Sequence, residues 1–145
     1  MTQSGFKPVG QTEQHLFGPR KIIVCGYAHE HQHSLRETLA QLPEFKDLPI
    51  LFARQEDEGI SLSTLFSREP VTGEDETLAS PPTVIMAGLT GKELHLLMSE
   101  HKKTNIPSPI WATLTPISAG WPLRKLLKEL GREKEAMQKL HAQKA

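Results

Sequence analysis

Four short apolar runs punctuate the chain, at residues 21–26 (KIIVCG), 49–53 (PILFA), 83–87 (TVIMA) and 110–114 (IWATL). None alternates polar and apolar positions as a half-exposed strand would, so each predicts a strand buried on both faces. Between the runs the spacing changes to a helical period. Ser34 with Glu37 reads as a capping box, Leu35, Leu39 and Leu42 follow at helical spacing, and Pro43 stops the segment. Ile60, Leu62, Leu65 and Phe66 predict a short helix or ordered loop. A second capping box, Thr90 with Glu93, opens a helix that carries Leu94, Leu97, Met98 and His101 on one stripe. Pro122 suits the first position of the last and longest helix, whose apolar face runs through Leu123, Leu126, Leu127, Leu130, Met137 and Leu140. Gly131 weakens the middle of that helix by about 1 kcal/mol relative to alanine.

Strands alternating with helices predict a compact three-layer α/β domain, with a mostly parallel sheet of about four strands and helices on both faces. If residues 54–82 merely loop back, the alternative is a ferredoxin-like α+β sheet with an added C-terminal helix. No internal repeat is visible in the letters. Residues 1–20 are polar and rich in glycine and proline, and predict a flexible arm. Residues 21–142 then form one domain, interrupted by an exposed insertion at 67–82 (SREPVTGEDETLASPP).

Composition narrows the function classes. The 145 residues hold 17 basic and 17 acidic side chains, which removes any global electrostatic attraction to nucleic acid or an anionic membrane. The single cysteine, Cys25, forms no internal disulfide and requires no oxidising compartment. No apolar run reaches the length of a signal peptide core or a membrane span, so a cytoplasmic location is expected. Charge is distributed unevenly: residues 54–76 hold seven acids and two bases, whereas residues 121–145 hold seven bases and three acids.

Residues 84–94 (VIMAGLTGKEL), 111–130 (WATLTPISAGWPLRKLLKEL) and 132–137 (REKEAM) together resemble an uncharacterised bacterial family, the domain of unknown function 3783. The resemblance implies a strand, a glycine and a helix, then a leucine-threonine-proline turn and a tryptophan that opens the last helix. It implies no activity, ligand or catalytic residue. Members often carry an asparagine where this chain has Ser118.

The most chemical-looking cluster is His29, His31 and His33, beyond the first strand, at the edge where open α/β sheets place ligands. Alternate side chains of an extended segment face the same way, so these three are the candidate metal ligands. Gly88, Gly91 and Lys92 precede a helix and suggest an anion site, although the full phosphate-loop pattern is absent. Cys25 in a buried strand reads as a small hydrophobe, and His101 as a packing residue. No catalytic constellation stands out, and no cofactor is called for. Trp121, Met137 and Leu140 are the candidate partner contacts, facing an acidic protein or a second copy of the chain. The expected function is a non-catalytic cytoplasmic binding or regulatory module; the alternative is a metal- or phosphate-dependent enzyme with its site at the carboxyl edge of the sheet.

Overall fold

The computed structural model describes residues 14–69 and 78–144. All four apolar runs become strands: β1 (Lys21–Cys25), β2 (Ile50–Phe52), β3 (Thr83–Ala87) and β4 (Ile110–Thr113). With them come α1 (His29–Ala40), α2 (Leu62–Ser67), α3 (Gly91–Lys102) and α4 (Leu123–Lys144). Successive strand residues point to opposite faces, which divides the core into two apolar layers. Ile22, Val24, Val84 and Met86 cluster with Leu35 and Leu39 of α1 and Leu97 of α3. Ile23, Cys25, Ile85 and Ala87 cluster with Leu62 and Leu65 of α2 and Leu123 and Leu126 of α4. The sheet is therefore the middle of three layers, as the uninterrupted apolar runs require. Among the described residues no helix is long and apolar enough to cross a membrane.

The strand order is β2-β1-β3-β4, an α/β sheet of four strands as expected, and it matches the expected mostly parallel arrangement only loosely. β1 pairs with β2 in parallel and β3 with β4 in parallel, but the central pair, β1 with β3, is antiparallel. The order also differs from the ferredoxin-like alternative, in which a third strand would separate the parallel pair. β3 begins beside the end of β1, with Thr83 opposite Cys25, and runs back along it.

This arrangement reveals a repeat that the sequence conceals. Each half runs strand, helix, strand, 3-10 turn, helix, and the halves meet about an approximate twofold axis where Ile23 faces Ile85. Gly26 and Gly88 end the first strand of each half, both with positive φ (82° and 69°). A Cβ on Gly26 would lie 2.5 Å from the Ser80 carbonyl oxygen, and one on Gly88 would lie 2.5 Å from the Arg20 backbone nitrogen. The chain leading into each half thus crosses the other half's glycine turn. The halves also clasp reciprocally: the Leu62 N–H donates to the Trp121 carbonyl at 2.9 Å, and the Leu123 N–H to the Ile60 carbonyl at 3.0 Å.

Two boundaries move. Residues 14–20 are not part of a free arm, because the Leu16 N–H donates to the Leu89 carbonyl at 2.8 Å and the Gly88 N–H to the Phe17 carbonyl at 3.1 Å. The rest of the predicted arm, and residues 70–77 of the predicted insertion, lie outside the described residues. The far end of that insertion is anchored, since Leu78 is buried in the second apolar layer.

Gly88→Ala should destabilise the protein by about 2 kcal/mol or more, because the left-handed backbone and the Arg20 backbone both oppose a Cβ. Gly131 sits inside α4 with nothing within 4 Å of its Cβ position, so Gly131→Ala should stabilise by up to about 1 kcal/mol. Urea unfolding of the two variants measures both; similar effects would contradict the close approach described at Gly88.

Candidate functional site

α1 begins at His29, more than a turn before the predicted start at Ser34. Ser34 is inside the helix, where its carbonyl accepts from Thr38 Oγ1 at 2.9 Å, and Glu37 pairs with His33 at 3.3 Å instead of closing a capping box. Helical geometry also disperses the candidate metal ligands. Residues two apart on a helix are separated by about 200°, so His29 and His33 share a face that His31 does not. The His31 ring meets Tyr27 edge-on, with centroids 6.2 Å apart. Among the described residues no group of three or more His, Cys, Asp or Glu side chains is arranged to hold a metal ion.

The mixed sheet also removes the single carboxyl edge on which the enzymatic alternative relied. β1 and β2 end at one end of the sheet and β3 and β4 at the other, so the histidines and Gly88 lie at opposite ends. At α3 the predicted capping box is present: Thr90 Oγ1 accepts from the Glu93 N–H at 3.1 Å, and Glu93 Oε1 from the Thr90 N–H at 3.0 Å. Glu93 therefore supplies the negative charge that the helix N-terminus favours. Arg20 donates to its other oxygen at 2.7 Å. Burial alone would raise the Glu93 pKa, but the Arg20 and Thr90 hydrogen bonds and the nearby positive charge outweigh it and hold the carboxyl below its usual range.

Two buried charges have structural explanations. The Lys21 ammonium is held by the carbonyls of Leu65, Phe66 and Arg68, so it caps the C-terminal end of α2. Burial lowers its pKa. Asp57 closes the turn after β2 by accepting from the Arg54 N–H at 2.9 Å, and Arg68 donates to its other oxygen at 3.0 Å. Ser118 stands at the matching place after β4 and accepts from the Thr115 N–H at 3.1 Å. Cys25 is buried, and burial, together with the charge of Asp57, pushes its thiol up to about 12. A thiol that stays protonated in an apolar layer is a packing group, as its place in the strand predicted.

Tyr27 and His101 form a buried polar pair that sequence reading missed. The Tyr27 hydroxyl donates to the Pro107 carbonyl at 2.5 Å and lies 3.1 Å from His101 Nε2. Burial raises the pKa of Tyr27 and lowers that of His101, so both are neutral near pH 7. His101 also meets Trp111 edge-on, with centroids 5.4 Å apart. Tyr27 carried no period or motif that would have joined it to His101, because the two come from different halves.

Of the candidate partner contacts, Trp121 is half-buried against the second apolar layer, and Lys125 Nζ lies 4.6 Å from its ring centroid. The indole staples α4 to the domain. Met137 and Leu140 are different: they are 55% and 46% exposed, on a helix that continues without interruption through Gly131. Its buried residues end with the turns that carry Leu123 and Leu126, and every residue from Arg132 to Leu140 is exposed.

The Glu93 arrangement fixes a pH dependence. A carboxyl held low in the folded state stabilises fully above its ordinary pKa, and that stabilisation is lost as pH falls through the folded value. Glu93→Gln should therefore cost about 1 kcal/mol at pH 7 and flatten the decline in stability between about pH 5 and pH 3. Denaturant unfolding across that range measures it, and an unchanged slope would contradict the assignment.

No curated protein and no solved structure matches the chain. One family does, and its boundaries follow the internal repeat. It is the second of the two halves, residues 82–137, that matches the family described as a domain of unknown function (DUF3783).

Proposed function

We propose that this protein is a non-catalytic cytoplasmic binding module that acts through protein contacts of the projecting part of α4, and that the occupant of that surface is a second copy of the chain. The observation that carries the reading is the continuous exposure of residues 132–140 while they remain helical. An isolated helical segment of this length is marginal in water, because nucleation is costly and no packing offsets it. This one also presents Met137 and Leu140 to solvent. From Arg132 to Lys144 it extends about 20 Å at 1.5 Å per residue. Burying both apolar side chains on each of two partners would contribute several kcal/mol, at roughly 1.5–3 kcal/mol per side chain before ordering costs.

Arg132, Glu133, Lys134, Glu135, Lys139 and Lys144 mix both signs along the segment, so an antiparallel copy can pair the two glutamates with basic residues of its partner. The enzymatic alternative has weaker support, since the three histidines diverge around α1 and Glu93 already fills the anion position at α3. The single buried cysteine requires no oxidising compartment.

Sedimentation of the full chain should show a reversible monomer–dimer equilibrium at micromolar concentration. The double substitution Met137→Lys and Leu140→Lys should weaken it by at least about tenfold, with the unfolding midpoint unchanged within about 2 °C because neither side chain touches the core. A monomer up to about 200 µM, or a double variant that associates equally well, would overturn the proposal.

A further inference from the structure

The internal repeat supplies its own control for residues that the fold does not need. Leu89 follows Gly88 as Tyr27 follows Gly26, and it is fully buried. On the helices, Leu39 holds the place in α1 that His101 holds in α3, and the two are 2% and 3% exposed. On the outer strands, Ile50 lies opposite Ile22 as Trp111 lies opposite Val84. One half thus builds its layer from leucine and isoleucine at positions where the other uses an imidazole and an indole. Burying polar groups where leucine serves costs free energy unless they are hydrogen-bonded. Tyr27 and His101 meet that cost together, yet packing alone does not call for them.

The substituted residues border one cavity. Between α3 and β4 lies a groove of about 320 Å³, within the range of small-molecule sites. Met98, His101 and Trp111 form its inner wall, and exposed His95, Lys102 and Ser108 stand at its rim. No carboxylate is among the lining residues. Glu100, on the same turn of α3, is paired with Lys103 at 2.8 Å. The matching groove between α1 and β2 is lined instead by Leu39, Phe45 and Ile50, and its charged residues are Arg36, Lys46 and Asp47.

We propose that the groove between α3 and β4 binds a planar aromatic carboxylate, with its ring against Trp111 and Met98 and its carboxylate toward Lys102 and His95. A flat indole face and a flexible thioether suit an aromatic ring. Lys102 supplies the charge complement, and the neutral His101, held by Tyr27 on Pro107, gives the wall one fixed polar position. Nothing in this site depends on α4 or on association of the chain.

Titration of the ¹⁵N-labelled full chain with 2-naphthoate tests the proposal, since the indole N–H signals of Trp111 and Trp121 report separately. The expected result is a saturable shift of the Trp111 signal with Trp121 unmoved. Lys102→Glu, at an exposed position, should weaken binding about fivefold or more, and the uncharged analogue 2-naphthylmethanol should bind wild type weaker by a similar factor. His101→Leu, which installs the residue that the matching position already carries, should leave the domain folded and weaken binding about tenfold. No saturation up to about 5 mM, or undiminished affinity in either variant, would overturn the site.

Discussion

Everything in this fold is organised by the antiparallel seam between β1 and β3. Ile23 and Ile85 face each other at its centre, fully buried, and each contributes roughly 2–3 kcal/mol of burial. Because the seam joins two parallel strand pairs back to back, it sets the rest of the geometry. It puts α1 and α3 on one face and α2 and α4 on the other, and it sends the carboxyl ends of the two strand pairs to opposite ends of the sheet. Each half also depends on the other for closure. The glycine turns at Gly26 and Gly88 are covered by residues 80–81 and 18–20 from the opposite side, and α2 and α4 exchange backbone hydrogen bonds at their starts.

Where two halves share a framework, differences between them locate specialised roles. Lys21 caps α2 at the place where the second half has Thr83, and α2 is far shorter than α4. The extra length of α4 projects beyond the core and carries the proposed association surface. Thr90 and Glu93 cap α3, whereas Ala28 at the N-cap of α1 provides no side-chain cap. His101 and Trp111 replace aliphatic residues beside the second groove. The half that matches the domain of unknown function thus carries both surfaces to which a role is assigned.

Much of the framework was legible in the sequence. The four apolar runs gave all four strands: β1 and β3 are buried along their whole length and leave an unbroken hydrophobic signature, the outer β4 is only partly buried, and Thr90 with Glu93 marked the start of α3 through a local interaction. Other features depended on contacts distant in sequence. The antiparallel direction of β3 lies in its pairing with β1, Thr83 beside Cys25, a long-range contact that no local pattern encodes. The repeat escaped notice because its two copies keep positions of burial and their turn glycines while changing most side chains. At α1 the Ser34–Glu37 spacing imitated a cap, but the helix starts earlier, and with that start the three histidines diverge. Tyr27 and His101 pair across the dyad, so their link was invisible until the two halves were brought together.

Hydrogen exchange under native conditions tests the seam most directly. If the two halves form one cooperative body, the amides of Ile23 and Val24 in β1 and of Ile85 and Met86 in β3 exchange only through global unfolding, with equal free energies that fall in parallel as denaturant is added. Exchange of either strand through a separate, lower-energy opening while the other stays protected would contradict the account.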